Sequence, residues 1–390
     1  MPPVARLRPF TSTIFAEMSA LAVAHDAVNL GQGFPDTDGP AAMLDAAKKA
    51  IDSGDNQYPP GIGIPALRQA VARQQRDRYG LDYDPDTEVL ITVGATEAIA
   101  GAVVGLVEPG SEVVMIEPYY DSYAATVAMA GGIRRTVPLI DDGAGGFRLD
   151  REKLTDVIGP QTSVVLVNSP HNPTGTVLSD DDLAAIAQLV VEHDLIAITD
   201  EVYEYLLFDG RPHTPLATFP GMRERTLRIS SAAKTFNCTG WKVGWISGPA
   251  ELVAAARAAK QFMTYVGSGP FQPAVAYALD HEREWITGSA AELERKRNLL
   301  SEALSDAGFG VHRSEATYFV CADPRPLGFD DGAQFCRMLP ERIGVAAVPV
   351  AVFADDTEPW KHLVRFAFSK RDDVIAEAAR RLRGLDKPVA

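Results

Sequence analysis

From Glu88 onward the chain alternates short apolar runs with helical patterns, and no other feature restricts its fold as much. Strands are predicted over 89–93, 113–116, 164–167, 195–199 and 226–229, with a further one over 243–247. Each run is rich in Val and Ile and bounded by Gly, Pro, Asn or Asp, which is how buried strands read. Strands that alternate with helices imply an α/β protein with a mostly parallel sheet covered on both faces. Ligands of such sheets lie beyond the carboxyl ends of the strands. Four of these strands end in Gly94, Tyr120, Asn172 and Asp200, and a fifth leads to Ser231 and Lys234.

Composition narrows the class. The chain has 390 residues, 46% hydrophobic and 23% charged, enough for a large core and most readily two domains. A net charge of −15 argues against affinity for nucleic acid or an anionic membrane. Cys238, Cys321 and Cys336 are too far apart for a disulfide framework or a metal cluster, so no metal is expected. The first ten residues lack an apolar signal core and no 18-residue apolar run occurs, so the expected location is cytoplasmic.

Each strand end carries its own chemistry. Gly94-Ala95-Thr96-Glu97 reads as a turn before a helix over 98–107. The free amides of such a helix start can seat a phosphate, or Thr96 can simply cap them. Tyr120 offers a ring, and Asn172-Pro173-Thr174-Gly175 a fixed loop. Asp200-Glu201-Val202-Tyr203 supplies a carboxylate and a phenol. Lys234 stands among small residues and hydroxyls, with Lys242 eight positions on. An amine desolvated there would be a nucleophile able to form Schiff bases; a solvated turn is the alternative. Ser231-x-x-Lys234 also matches the serine β-lactamase motif, but the S-D-N and K-T-G strings those enzymes need are absent. Arg365 interrupts an apolar strand over 362–368 and must have a structural ion partner or line a site. Phosphate-binding amides, a ring, a carboxylate, a phenol and a lysine are together what pyridoxal 5′-phosphate (PLP) requires.

These motifs, with Gly240-Trp241-Lys242-x-Gly244, resemble those of the class I aminotransferases of PLP fold type I, along essentially the whole chain. Gly31-Gln32-Gly33-Phe34-Pro35-Asp36 is similar to the kynurenine/glutamine/methionine aminotransferase branch. The stretches 15–21, 93–100, 230–245 and 321–328 are most similar to the actinobacterial N-succinyldiaminopimelate aminotransferases. The resemblance implies an arm and part of a small domain over 1–44, a large PLP-binding domain over 45–287, and a small C-terminal domain over 288–390. It implies that Lys234 carries PLP and moves the substrate proton, that Asp200 faces the pyridine nitrogen, and that Tyr203 and Asn172 hold the ring's O3′ oxygen. Tyr120 would stack on the ring. Gly94, Ala95, Thr96, Ser231 and Lys242 would hold the phosphate, joined by Tyr58 from the second subunit of a homodimer. Arg365, Asn172 and Gly33 would bind the substrate α-carboxylate. Lys242 departs from the arginine found in many members, and the glycine-rich run 265–270 departs from the bulkier residues of kynurenine-preferring relatives.

The implied reaction is transfer of an amino group between an amino acid and a 2-oxo acid, with N-succinyl-LL-diaminopimelate and 2-oxoglutarate as the expected pair. A broad-specificity glutamine, methionine or kynurenine aminotransferase and a cysteine-S-conjugate β-lyase are the alternatives. A substrate with several carboxylates calls for cations beyond Arg365, and Arg134 and Lys260 are candidates that could equally be solvated.

Overall fold

The computed structural model describes residues 3–11 and 13–385. Its centre is an eight-stranded sheet of β1 (Val89–Val93), β2 (Glu112–Glu117), β3 (Ile133–Asp141), β4 (Phe147–Leu149), β5 (Thr162–Asn168), β6 (Ile196–Asp200), β7 (Thr226–Ser231) and β8 (Val243–Ser247). Their spatial order is β1-β8-β7-β6-β5-β2-β3-β4. Strands β3, β2, β5, β6 and β7 run parallel, as expected, and β4 pairs antiparallel with β3 at one edge.

Both faces are covered because side chains alternate along each strand. Leu90, Met115, Leu166 and Ile198 point to one face, under the helices Gly94–Leu106, Asp121–Ala130 and Ala250–Lys260. On the other face Val114, Ile116, Val165 and Val167 meet the helix Asp180–Glu192. Further along that face Val89, Ile91 and Trp245 meet the helices Ala41–Ser53, Pro65–Tyr79 and Phe271–His281. Ser179 caps the 180–192 helix as expected, in a reciprocal box with Asp182.

A second sheet, antiparallel throughout, joins β9 (Gly310–Val311), β10 (Phe319–Asp323), β11 (Val348–Pro349) and β12 (Val364–Ala367) in the order β9-β10-β12-β11. Its core is shared with the helices Arg283–Asp306, Gly332–Ile343 and Asp372–Leu382. The N-terminal segment is stitched into it. Val28–Asn29 pairs in parallel with Val345–Ala346, and the Ala367 amide donates to the Leu30 carbonyl at 2.7 Å. That stitching sets the loop after Leu30 beside Arg365.

One expectation needs correction, and one interior strand is reversed. The turn at 94–97 is absent: the helix starts at Gly94, directly after β1, with Val93 at the cap position and no side-chain cap. Gly94 makes this possible by adopting φ +73°. Strand β8 runs antiparallel to both β1 and β7, so its beginning, not its end, lies at the carboxyl edge of the sheet. A long helix runs from Arg283 to Asp306.

Gly244 of β8 lies against the Gly94–Ala95 peptide, where a built Cβ would come within 2.6 Å of the Gly94 carbonyl carbon. Backbone cannot yield as a side chain does, so Gly244→Ala is expected to cost about 1–3 kcal/mol, read as a lowered urea midpoint of the purified protein.

Candidate active site

The carboxyl edge of the large sheet and the nearby end of the small one enclose a cavity of about 340 Å³. That is within the range of small-ligand sites, about 300–1,000 Å³. Gly33, Gly94, Ala95, Thr96, Tyr120, Asn172, Asp200, Tyr203, Ser231, Lys234, Lys242 and Arg365 all line it. Tyr58 does not. It is 82% exposed and meets Tyr265 edge-on, with ring centroids 5.7 Å apart, across a separate surface cleft.

At one end of the cavity the uncapped start of the 94–106 helix meets Lys242. A Cβ built on Gly94 would lie 3.3 Å from the Lys242 Nζ, close enough that the lysine would have to shift, and the φ of +73° already favours glycine there. Lys242 itself sits at φ +55°, ahead of the antiparallel β8 that turns it toward the site. Helix amides and an ammonium group together make a seat for an anion. Ser231 stands beside it, though its hydroxyl is engaged with backbone, accepting from the Ala233 amide (3.1 Å) and donating to the Val243 carbonyl (3.2 Å).

Asp200 forms the floor. It is buried, and its carboxylate accepts from the Tyr123 hydroxyl at 2.6 Å and from the Val202 amide at 3.3 Å. Burial outweighs those bonds and pushes its pKa up to about 6. A carboxylate so placed favours a cationic partner. Asn168 ties two strand ends together: its Nδ2 donates to the Asp200 carbonyl (2.9 Å), and its Oδ1 accepts from the Asn172 amide (2.8 Å). Tyr120 is partly buried on the wall, edge-on to Tyr123; burial pushes its phenol up to about 12. Tyr203 is buried, and desolvation followed by the neighbouring Tyr318 holds its phenol well above the usual range.

Arg365 closes the other end. Although 1% exposed, it is not paired with any carboxylate: Nη1 donates to the Asn172 Oδ1 (2.9 Å), Nη2 to the Gly31 carbonyl (3.1 Å), and Nε has no partner. The guanidinium lies 3.9 Å from the centroid of the Phe319 ring. A buried, underpaired guanidinium at a cavity wall is arranged to receive a carboxylate. Lys234 is half-buried, less enclosed than its sequence context suggests, and donates to the Tyr318 hydroxyl at 2.6 Å.

The sequence reading did not single out Tyr123, Asn168, Tyr318 or Phe319 as site residues. Tyr123 had one available sign, its position three residues after Tyr120, on the same side of a helix. Asn168 closes β5 opposite Asp200 in register. Tyr318 and Phe319 come from the small sheet, and nothing local points to their meeting with Lys234 and Arg365. The two candidate distal cations do not reach the cavity. Arg134 pairs with Asp355, and Lys260 donates to the Gly61 and Tyr265 carbonyls.

Comparison with known proteins agrees with this geometry. The family described as aminotransferase class I and II matches residues 25–382. The chain is 60% identical over 387 residues to the Mycobacterium tuberculosis protein named "Probable N-succinyldiaminopimelate aminotransferase DapC", covering 97% of each. It is 38% identical to a methionine aminotransferase of Escherichia coli, over 98% of each chain. The solved structure of the N-succinyldiaminopimelate aminotransferase from M. tuberculosis superposes with a TM-score of 0.97, covering 98% of this chain and all of the other. With the anion seat, buried carboxylate, aromatic wall and lysine converging on one cavity, the chain belongs to the class I and II aminotransferases, PLP-dependent enzymes of fold type I.

Proposed function

We propose that the protein transfers the amino group of N-succinyl-LL-diaminopimelate to 2-oxoglutarate, or runs that reaction in reverse. The observation that carries this choice is the 60% identity over 97% of both chains with the M. tuberculosis protein of that name. The glycine-rich run 265–270 lies outside this chain's own cavity; supplied by the partner subunit of a dimer, it would leave room for a long donor side chain. No cation of the cavity wall beyond Lys234, Lys242 and Arg365 is found among the described residues, so a distal carboxylate would have to be read elsewhere, for example by the partner subunit.

The residues present fit the cofactor. Gly94, Ala95, Thr96 and Lys242 would hold the phosphate, and Ser231 could join them by turning its hydroxyl. Tyr120 would stack on the ring, Asp200 pair with its nitrogen, and Tyr203 and Asn172 hold its phenolic oxygen. When bound, PLP supplies an electron sink for charge developing at the substrate α-carbon. Arg365 holds the α-carboxylate, aided by Asn172 and the Gly33 backbone, so that the α-hydrogen is presented to Lys234. With the cofactor bound, the Lys234 Nζ would take that proton as base and give it back as acid from the same face.

We further read the active form as a homodimer. Tyr58 and Tyr265 form an exposed aromatic pair, and Phe262, three residues before Tyr265, is 86% exposed; a second copy would cover them and bring Tyr58 toward the partner's phosphate seat. The large cofactor-binding unit is taken as 45–287, with 1–44 and 288–390 forming the small one, although the helix Arg283–Asp306 runs across that boundary. The free, buried cysteines suit a reducing cytoplasm, and no described helix is long and apolar enough to cross a membrane.

The central test is a single-turnover screen in which each donor is added alone and the absorbance of the cofactor-loaded enzyme is followed. N-succinyl-LL-diaminopimelate and glutamate should react fast; glutamine, methionine and kynurenine slowly. The reverse ranking moves the protein to the broad-specificity branch, and pyruvate release from a cysteine conjugate would mark β-lyase activity. In the same assay Lys234→Ala should abolish turnover, and Arg365→Ala should weaken amino acid binding by about 2–5 kcal/mol. Sedimentation at micromolar concentration is expected to give a dimer; a monomer retaining full activity would remove Tyr58 from the site.

Asp200 gives a pH prediction. With its folded pKa raised to about 6, the penalty for its charge in the cofactor-free chain is absent at low pH and grows as pH climbs from the ordinary carboxylate range. It is complete above 6, at about 3 kcal/mol. Asp200→Asn should therefore stabilise the cofactor-free protein more at pH 8 than at pH 5, while weakening cofactor retention. Equal urea midpoint shifts at the two pH values would contradict the assignment.

A further inference from the structure

Tyr318 lies outside the motifs that define this site, yet its hydroxyl is the hydrogen-bond partner of the Lys234 amine. The same hydroxyl reaches the Gly33 carbonyl at 2.5 Å. A carbonyl can only accept, so Tyr318 spends its single proton on Gly33 and can only accept from Lys234. The direction of both bonds follows. Lys234 is the donor whether it is an amine or an ammonium, and in the neutral form its lone pair is left unused by Tyr318.

The backbone around Tyr318 is built to hold it. Thr317, a β-branched residue, is buried at φ +70°, a conformation such residues almost never adopt. The surroundings enforce it. The Thr317 amide donates to the Leu206 carbonyl, its hydroxyl accepts from the Phe319 amide (3.1 Å), and the Tyr318 carbonyl accepts from the Phe368 amide. Strain of this kind persists where a particular side-chain direction is required. A tyrosine serving only as core filler would need neither this turn nor a bond to the one lysine in the cavity's centre.

We propose that Tyr318 is a positioning residue for proton transfer. It anchors the Lys234 Nζ by one N–H whenever the substrate has displaced that amine from the cofactor, aiming the lone pair at the substrate α-hydrogen. Through Gly33 it also links the lysine to the loop whose Gly31 carbonyl holds Arg365, so the base and the carboxylate clamp share one frame. Tyr318 itself gains and loses no proton. The inference rests on Lys234 being the residue that moves the proton.

Tyr318→Phe keeps the ring and removes the hydroxyl. In the cofactor-loaded variant, the single-turnover rate with glutamate should fall on the order of 10- to 100-fold, as for a base misplaced by a fraction of its reach. The isotope effect with α-deuterated glutamate should rise, because proton transfer becomes slower relative to the other steps. Binding of α-methylglutamate, which has no α-hydrogen to lose, should change by less than about threefold. A variant rate within about twofold of wild type, or a slower rate with an unchanged isotope effect, overturns the proposal. Failure of the wild-type protein to react with any donor, or full activity of Lys234→Ala, would instead overturn the functional reading beneath it.

Discussion

Backbone hydrogen bonding across five strands sets the position of nearly everything in this site. Asn168 is in register with Asp200, Asp200 with Ile229, Ser231 with Gly244, and Val243 with Val93. Because side chains alternate along a strand, slipping any one of these pairings by a residue would turn its functional group to the opposite face. The burial of Leu166, Ile198, Leu227 and Ile246 on one side therefore also holds the carboxylate, the asparagine and the lysine-bearing loop in relation to one another. The hydrophobic core and the chemistry are specified by the same alternation.

The small sheet contributes a different kind of precision. Its strand β12 brings Arg365 into the interior without a counter-charge, where burial lowers the pKa of even a guanidinium. A charged group is tolerated there because amide and carbonyl oxygens from two distant segments, Asn172 and Gly31, solvate it and the Phe319 ring lies against it. Those oxygens partly compensate the charge without neutralising it. Glu201, the neighbour of Asp200 in sequence, is treated in the opposite way and is directly ion-paired. Arg228 and His213 surround it, drawing its pKa down to about 2 despite burial, so the charge next to Asp200 in sequence is already paired.

Much of this was legible in the chain because strand ends carry unusual residue types. Asn172, Asp200 and Lys234 follow apolar runs too regular to be anything but strands, and the loops after them are punctuated by Pro and Gly. What escaped depends on distance in space. Tyr318 acts on Lys234 from 84 residues away, and Tyr123 lies in the helix Asp121–Ala130, a segment that carries no motif of its own. Strand β3 was not anticipated because its arginines, Pro138 and alternating exposure disguise a strand near the sheet's edge. The turn expected at 94–97 was misjudged for a related reason: glycine after a strand usually signals a loop, whereas here its left-handed φ lets the helix begin at once. Tyr58 projects from the surface and touches only the Tyr265 ring edge-on among the described aromatic contacts, away from the cavity.

The reversed direction of β8 fixes how the two lysines are held. Lys234 hangs from the end of β7 and Lys242 from the start of β8, and the pairing of Ser231 with Gly244 pins both suspension points. The arc between the two lysines is thus a span fastened at both piers. Its middle is tied down by the buried Phe236 and Cys238. The separation of the two lysines is therefore set by the sheet pairing and not by the arc itself.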